Sequence, residues 1–331
     1  MAPAPIMWSD EVDGILRGDL TVAAAYVTPA GGAVVTGVAP CGMAERDDAA
    51  LGFTTSLGLA KKLERIVRNP KVALAYHSRE HGTSASPCFV LAQGTASVDL
   101  VPSPERLTAF TPQAEQHLGA LKQGLVWDRL LHEYYEERVF VDIAVERLVV
   151  WPDLAAGGEP EVLGAALPPA PDSQSPPGNG TGPRVDLDRA SVQLAVLPHR
   201  VLAWTGADGF PVVVPVEPAG HDAAGLHLVA SRGILPPGAR RAGFLAHAYR
   251  PQLVGLGTRM FTGWLTVSDD GVAVYAPHTS SGFTTPPNKT MVLTINGLMA
   301  KYGLWQARRH GLEEELRAEL AARSTGPTPG P

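Results

Sequence analysis

The sequence carries the same order of local patterns twice, once on each side of a stretch rich in proline, glycine and serine. In each half, two β-rich runs are joined by a short turn, TPAGG in the first half and TGADG in the second. A further strand, a basic pair and a strand with an internal glycine (Gly94 or Gly263) follow in both halves. Four patterns repeated in one order indicate an internal duplication. The chain is therefore expected to fold as two similar halves.

The first half is dominated by strand patterns. Apolar and β-branched runs predict strands over residues 20–26, 33–38, 53–56, 72–76, 89–98 and 138–151, and helical patterns cover residues 10–17, 104–119 and 122–137. Ser9 is the expected N-cap of the first helix. A glycine inside a strand predicts a bulge or a close approach by another group, which we expect at Gly94.

The second half repeats this pattern with differences. Strands are predicted over residues 201–204, 211–216, 226–231 and 261–267. The basic pair Arg240-Arg241 is expected to begin a helix that continues through His247, and the proline pair Pro236-Pro237 is inserted before it. Residues 276–290, which are rich in hydroxyls and carry Lys289, are expected to form a polar loop of the kind that often covers a site, and residues 291–309 a helix in their latter part.

These patterns divide the chain into four segments. Residues 1–155 and 185–311 are the two expected domains, because 331 residues are enough for two separate cores. Residues 156–184 contain little that could be buried and are expected to be a linker. Residues 312–331 are expected to be a charged, frayed tail.

Composition excludes several classes of protein. The net charge is −6 and no basic stripe stands out, which argues against a nucleic-acid partner. No apolar run is long enough to cross a bilayer and no signal peptide is recognisable, so a cytoplasmic location is expected. Two cysteines, Cys41 and Cys88, exclude a disulfide scaffold, and no histidine or carboxylate pattern predicts a metal site.

The segment GFTTSLGLAKKLERIVRNP, which begins at Gly52, carries the strongest functional pattern. The hydroxyls of Thr54, Thr55 and Ser56 end a strand, and Lys61 and Lys62 open the next helix. Hydroxyls, free backbone amides and two ammonium groups together predict a phosphate site. The alternative is a solvated helix face. The matching positions of the second half are Ser231, Arg232, Arg240 and Arg241, where the two interpretations remain open.

The order TTS…KK…NPKVAL resembles the flavin- and deazaflavin-binding split β-barrel superfamily, which includes the pyridoxamine 5′-phosphate oxidase family. The resemblance implies an α+β fold of two tandem split β-barrels with six strands each. Members are usually homodimers with a cofactor between two barrels, so this chain is expected to form that dimer within one polypeptide. The resemblance further implies that Thr54, Thr55, Ser56, Lys61 and Lys62 bind FMN, and that Gln93 approaches it from the barrel wall.

From the resemblance we expect the protein to be a flavin-dependent oxidoreductase that acts on a small molecule. Residues 33–38 lack the basic side chains of the oxidase proper, and the chain ends without its arginine-containing strand, so oxidation of pyridoxamine phosphate itself is not expected. Two alternatives remain. Arg65, Arg68 and Lys71 could serve the acidic tail of coenzyme F-420, and a non-catalytic flavin- or haem-binding protein would need no substrate site.

Several other side chains have competing interpretations. His77 and His81 fall in a polar loop, where they would be solvated or lie near the mouth of a cofactor site. Trp204, Trp264 and Trp305 would be core or interface residues, or else stack on a flavin. Cys41 is expected to be a surface thiol at the end of a strand.

Overall fold

Two antiparallel β-sheets with the same strand order form most of the protein. The computed structural model describes residues 6–120, 122, 124, 127, 129–132 and 137–324. The first sheet consists of β1 (Val22–Val27), β2 (Ala33–Val38), β3 (Ala44–Glu45), β4 (Ala50–Ser56), β5 (Lys71–Tyr76), β6 (Phe89–Asp99), β7 (Arg138–Trp151) and β8 (Glu161–Gly164). The second consists of β9 (His199–Thr205), β10 (Pro211–Pro215), β11 (Glu217–Asp222), β12 (Gly225–Val229), β13 (Gly238–Ala248), β14 (Gly257–Val267) and β15 (Ala273–Thr284).

The strand order identifies the two halves as copies of one topology. It is β2-β1-β5-β6-β7-β4-β3 in the first sheet and β10-β9-β13-β14-β15-β12-β11 in the second, so each strand on these paths has a counterpart; β8, which pairs with β7, is an addition to the first sheet. The predicted fold class, an α+β chain of two tandem split barrels, is confirmed. The sheets are larger than the six strands expected for each half. β3 has only two residues and β11 is mostly exposed, so neither produces an apolar pattern that could reveal it.

Gly94 and Gly263 mark the same irregularity in both sheets. The register of β6 against β7 shifts between Gln93 and Gly94, and that of β14 against β15 shifts between Thr262 and Gly263. A Cβ atom added at Gly94 would lie 2.2 Å from the Ala144 carbonyl oxygen, and one at Gly263 would lie 2.2 Å from the Ala276 carbonyl oxygen. The predicted bulge is therefore present twice, and only glycine fits there.

Six helices accompany the sheets in the part of the chain that the structure describes with defined bounds. They are α1 (Asp10–Gly18), α2 (Ala60–Arg68), α3 (Pro104–Leu118), α4 (Leu187–Ala195), α5 (Lys289–Arg309) and α6 (Leu312–Ser324). The Ser9 hydroxyl accepts a hydrogen bond from the Val12 amide, so the predicted N-cap of α1 is confirmed. The helix expected over residues 122–137 lies largely outside the described residues.

Helix α2 joins β4 to β5, and its counterpart is missing from the second half. The prediction of a helix from Arg240-Arg241 through His247 is wrong, because these residues belong to β13. β13 pairs with β9 on one side and with β14 on the other, so its backbone groups are satisfied by two neighbouring strands. Tertiary pairing thus overrides the local pattern, and Pro236-Pro237 lies in the loop that replaces the helix.

The C-terminal helices return to the first half. Leu304 and Ala307 of α5 and Leu316 of α6 are buried in the core built from β1, β4–β7, α1 and α2. The sequence predicted a loop over residues 276–290 and a frayed tail from residue 312. Instead, β15 continues to Thr284 as the partner of β14, and α6 is helical and packed through Leu316.

The two halves meet through an interface core built from both sheets. Small side chains on β1, β5 and β9 allow the sheets to approach closely, and larger ones fill the periphery. The residues of this interface core are Ala23, Ala25, Ala33, Val35, Ala73, Ala75, Phe89, Leu91, Val149, Trp151, Ala156, Val201, Ala203, Val213 and Leu245. The single chain therefore forms the pseudo-dimer that the duplication implies.

The linker is bound to both halves along part of its length. Its first part contributes β8, which pairs with β7. The Gln174 side chain donates a hydrogen bond to the Gly31 carbonyl (2.9 Å) and accepts one from the Arg241 amide (2.9 Å). This segment thus connects the first hairpin to β13 and stabilises the interface between the halves.

Candidate functional site

A cavity of about 320 Å³ lies where the two halves and helix α5 meet. One wall comes from the first half, at the ends of β2 and β4 and at the start of α2. The other comes from the second half, from the turn after β13 and the end of β15, and α5 closes one side. The lining residues are Gly37, Val38, Ala39, Cys41, Thr54, Thr55, Ser56, Lys62, Leu118, Arg138, Gln252, Leu253, Val254, Leu256, Phe283, Thr285, Lys289, Val292, Leu293 and Asn296. We call this space the first cavity.

Strand β4 delivers the three predicted hydroxyls to the first cavity. Thr54 Oγ1 accepts a hydrogen bond from Arg138 Nη1 (3.0 Å), and Ser56 Oγ accepts one from the Gly58 amide (3.1 Å). Thr55 Oγ1 is buried without a hydrogen-bond partner among the described residues. Such a group is costly to leave unpaired, so Thr55 is suited to a partner that the protein itself does not provide.

Helix α2 separates the two predicted lysines. Lys62 is buried and lines the first cavity, with its Nζ 5.7 Å from the centroid of the Phe53 ring, whereas Lys61 is exposed and lies outside the lining. Among the residues described, no hydrogen-bond or ion-pair partner contacts Lys62 Nζ. Burial lowers the pKa of Lys62 to about 8. Lys62 therefore remains mainly charged at pH 7, in a place where an anion would stabilise it.

The opposite wall supplies matching groups from the segment 276–290, which the sequence indicated as a polar segment that covers a site. Thr285 follows β15, and its Oγ1 is buried with no partner in the described part of the chain. Lys289, at the start of α5, also lines the cavity, and burial lowers its pKa, followed by the charge of Lys122. The pattern indicated the segment but could not show that it lines this cavity, because that depends on the second half folding against the first.

The charge of the first cavity has one sign. Among the residues that the structure describes, its lining includes Lys62, Arg138 and Lys289 and no aspartate or glutamate, although the chain as a whole carries a net charge of −6. Thr55 from the first half and Thr285 from the second, whose hydroxyls are buried without partners among the described residues, line the same cavity as these cations. This donor set fits a small anion such as a phosphate group.

Gln93 lies away from the first cavity, in a buried network between the halves. Its Nε2 donates to the Pro211 carbonyl (2.7 Å), and its Oε1 accepts from Arg147 Nη1 (2.6 Å). Arg147 Nη2 also contacts Asp208 Oδ2 at 2.8 Å. The hydrogen-bonding groups of Gln93 are thus engaged in joining β6 to the second half.

The four residues predicted for the second half do not assemble a copy of the first cavity. Ser231 Oγ donates to the Ala155 carbonyl (2.7 Å). Arg232 lines a second cavity of about 380 Å³, together with Trp204, Ile234 and the proline-rich linker at residues 167–171. Arg240 is buried, its Nη2 donates to the Pro237 carbonyl, and its Nε and Nη1 have no partner among the described residues.

Arg241 corresponds to Lys71 rather than to the α2 lysines. Val72 pairs with Gly94 and Ala242 pairs with Gly263, so the preceding residues, Lys71 and Arg241, are equivalent. Each contacts the hairpin turn of the other half. Lys71 Nζ donates to the Asp208 carbonyl (2.6 Å), and a Cβ at Gly32 would lie 2.7 Å from Arg241 Cβ. This pair of cations contributes to the interface between the halves.

The structure also shows where the cysteine, tryptophan and histidine side chains with competing interpretations lie. Cys41 is buried and lines the first cavity, so the expectation of a surface thiol is wrong; burial raises its pKa to about 11. Trp204 and Trp264 are buried and Trp305 is half exposed, and none of the three lines the first cavity. His77 is buried at the interface and His81 remains partly exposed.

The described residues offer neither a metal site nor a membrane-spanning helix. Nowhere in them do three or more histidine, cysteine, aspartate or glutamate side chains gather in a way that could hold a metal ion. None of their helices combines the length and the apolar character needed to traverse a lipid bilayer.

Comparison with solved structures finds proteins that are similar to this chain at low sequence identity. A haem-binding protein from Mycobacterium smegmatis is 11% identical and covers 89% of this chain and 99% of its own, with a TM-score of 0.30. A pyridoxamine 5′-phosphate oxidase-related, FMN-binding protein from Nostoc punctiforme is 10% identical (60% and 87% coverage, TM-score 0.29). An F-420 reductase is 16% identical (41% and 94% coverage, TM-score 0.29). No protein-family model and no curated protein matches the sequence.

Proposed function

We propose that this protein is an oxidoreductase that holds FMN between its two halves, with the phosphate of the cofactor in the first cavity. The observation that carries the proposal is the donor set of that cavity. Buried Lys62, with Arg138 and Lys289, provides positive charge, and the hydroxyls of Thr55 and Thr285 are buried without partners. A phosphate group would satisfy both hydroxyls and stabilise the buried ammonium group.

The protein's own residues would bind and orient the cofactor. Thr55 and Ser56 would hold the phosphate from the end of β4, Lys62 would contact it from α2, and Thr285 and Lys289 would close over it from the other half. The bound isoalloxazine ring would supply hydride or electron transfer to a small-molecule substrate. The walls of the cavity, which include Leu253, Val254 and Phe283, would restrict access of water.

A single phosphate fits this protein better than the acidic tail of coenzyme F-420. The three cations that suggested a broad basic groove are engaged elsewhere. Arg65 contacts the Tyr26 hydroxyl, Arg68 pairs with Glu64 at 2.6 Å, and Lys71 binds the Asp208 carbonyl. None of them lines the first cavity.

Haem is also a poorer fit to the first cavity. No histidine lines it, and the raised pKa of Cys41 disfavours the thiolate that would bind iron. FMN needs no such ligand.

The test is binding of FMN to the purified protein, followed by quenching of flavin fluorescence. We expect Lys62→Met to weaken binding about 10- to 100-fold, which is the range for losing a hydrogen bond to a charged group. Lys61→Met is the matched control, because Lys61 is the exposed neighbour on the same helix, and it should change the affinity less than twofold. Equal effects of the two substitutions, or no binding of FMN, would reject the site.

Catalysis is tested separately. Flavin absorbance of the FMN complex should bleach anaerobically with NADH or NADPH and return on exposure to air. A stable complex that no nicotinamide donor bleaches would contradict this part of the proposal and favour a non-catalytic flavin-binding protein. If the protein binds F-420 and not FMN, and Lys62→Met weakens that binding, the anion site is correct but the cofactor is F-420.

A further inference from the structure

His77 and His247 occupy equivalent positions in the two halves and meet at the interface. Val72 and Ala242 are equivalent because each pairs with the bulge glycine of the next strand, and each histidine follows five residues later. The two Nε2 atoms are 2.6 Å apart, and both side chains are buried. The duplication has therefore placed two copies of one residue in direct contact.

The hydrogen bonds determine which nitrogen atoms carry protons. His77 Nδ1 lies 3.0 Å from the Ala75 carbonyl, which can only accept, so Nδ1 is protonated and Nε2 of the neutral ring accepts. His247 Nε2 must then donate to His77 Nε2, which leaves His247 Nδ1 as a bare lone pair. That atom is buried and has no partner among the described residues. The neutral pair is consistent with every contact present.

Protonation of the neutral histidine pair is unfavourable at the nitrogen atom that would take up the proton. The free lone pair of the two rings is Nδ1 of His247, where the new N–H group would find no acceptor. Burial is also the main reason that the pKa of His77 is lowered to about 4 and that of His247 well below its usual value. Proton uptake would thus bury both a charge and an unpaired donor.

The charged and titratable groups around the pair do not compensate for such a proton. His199 on β9 lies opposite His247, with ring centroids 5.2 Å apart, and its Nε2 is 2.7 Å from Glu80 Oε2. Tyr249 stacks on His247 at 5.5 Å, and its hydroxyl contacts Ser78 Oγ. Arg79, which follows Ser78, is paired with Asp19. His199 and Arg79 add positive charge when protonated, which further opposes a proton on His77.

We propose that the His77–His247 pair is an acid-sensitive joint between the two halves. In the neutral state it donates one hydrogen bond across the interface. When the pair takes up a proton, the joint opens so that the imidazolium reaches water, and the neighbouring edge of the interface core loosens. The proposal concerns the protein without ligand, so its test is independent of the proposed function.

The direction of the pH dependence follows from proton binding. The ordinary histidine pKa is 6.5 and the buried pair has lowered values, so the opened state binds more protons below pH 6.5. The closed joint is therefore fully stable above about pH 6.5 and is progressively lost as the pH falls toward 4. Asp19 acts in the opposite direction. Burial raises its pKa to about 7, so acidification neutralises a buried carboxylate and favours the closed form.

Hydrogen–deuterium exchange of the ligand-free protein between pH 7.5 and 4.5, corrected for the intrinsic exchange rate, tests the joint. Peptides covering β5 and β13 should lose protection below pH 6.5, by up to about tenfold per pH unit for each proton taken up. The double variant His77→Gln/His247→Gln, in which neither position can be protonated, should remove most of this loss, and each single variant should remove part of it. His81→Gln and Asp19→Asn are the controls and should retain it.

Two results would overturn the proposal. One is unchanged protection of β5 and β13 across this pH range in the wild-type protein, and the other is an equal loss in the glutamine variants. If those variants do not fold, nitrogen-15 NMR of the wild-type histidines decides. We expect His77 protonated at Nδ1 and His247 at Nε2, both neutral at pH 6, whereas a charged pair in the closed protein at pH 6 would refute the joint.

Discussion

Gly58 and Gly303 bring two backbones into direct contact beside the first cavity. A Cβ atom added at Gly303 would lie 2.7 Å from the Cα of Gly58, and one added at Gly58 would lie 3.0 Å from the Cα of Gly303. Gly58 follows the hydroxyl cluster of β4, and Gly303 lies on α5, which carries Lys289. Helix α5 therefore takes its position over the cavity from a contact that has room for no side chain.

Gly303→Ala should displace α5 from the end of β4. We expect a loss of about 1–3 kcal/mol in the free energy of unfolding, the usual cost of overpacking, together with weaker FMN binding. Urea unfolding and a flavin titration measure the two effects. Gly14→Ala is the control, because Gly14 also lies in a helix but a Cβ there would meet nothing within 4 Å. It should stabilise the protein by about 0.5–1 kcal/mol. A Gly303→Ala protein as stable as the wild type would contradict the proposed role of this contact.

Binding of FMN should weaken as the pH rises above about 8. Burial lowers the pKa of Lys62 to about 8, so the ligand-free protein loses the ammonium group above that pH. An anion binds the protonated form, and the affinity should fall by up to about tenfold per pH unit from there toward pH 10. Titrations at pH 7, 8, 9 and 10 measure the slope. Lys62→Arg keeps its charge throughout and should flatten the profile; a wild-type profile that is already flat would exclude Lys62 from the phosphate site.

Thr55→Val should have opposite effects on stability and on binding. In the ligand-free protein the hydroxyl is buried without a partner, so its replacement by a methyl group should leave the free energy of unfolding unchanged or raise it by about 1 kcal/mol. FMN affinity should fall about tenfold, because one phosphate donor is lost. Thermal unfolding without ligand and a flavin titration give the two values. Loss of stability with unchanged affinity would indicate a structural hydroxyl instead.

Arg147→Met should destabilise the contact between the halves. Arg147 is 5% exposed and donates to Asp208 Oδ2 across the interface. Within its own half it donates to Gln93 Oε1, which is joined to the second half through Pro211, and it also donates to the Ala165 carbonyl of the linker. Its removal leaves buried acceptors unpaired, and we expect a loss of about 2–4 kcal/mol by urea unfolding. Arg17→Met is the comparison, because the exposed pair of Arg17 with Asp13 should contribute only about 0.3–0.5 kcal/mol. Equal losses of unfolding free energy in the two variants would show that the hydrogen bonds of Arg147 do not stabilise the protein more than a surface ion pair does.

The repeated order of patterns made the architecture predictable. The turns, the β-rich runs and the glycines at 94 and 263 are local signals, and all of them occupy corresponding places in the two sheets. The local pattern predicts a helix where β13 lies, because it cannot show that the backbone of β13 forms hydrogen bonds with β9 and β14, which are distant in sequence. The pairing of β15 with β14 and the return of α5 to the first half were missed for the same reason.

The candidate site was only partly predictable. Thr54, Thr55, Ser56 and Lys62 lie within nine residues of one another, so the local pattern was enough to bring them together. Arg138, Thr285 and Lys289 reach the same cavity from distant parts of the chain and carry no motif. Conversely, Lys61 and Arg241 looked like site residues because charge alone does not reveal which way a side chain points.

In a homodimer, one gene encodes both clefts, and every substitution appears in each of them. Here α2 exists in only one of the two halves, and the proline-rich linker lines only the second cavity. Because both halves belong to one chain, a substitution changes one cleft and leaves the other as it is: Lys62, Arg138 and Lys289 line the first cavity, and Arg147 and Arg232 line the second. The two clefts of this single chain are therefore not required to be identical, as those of a homodimer are.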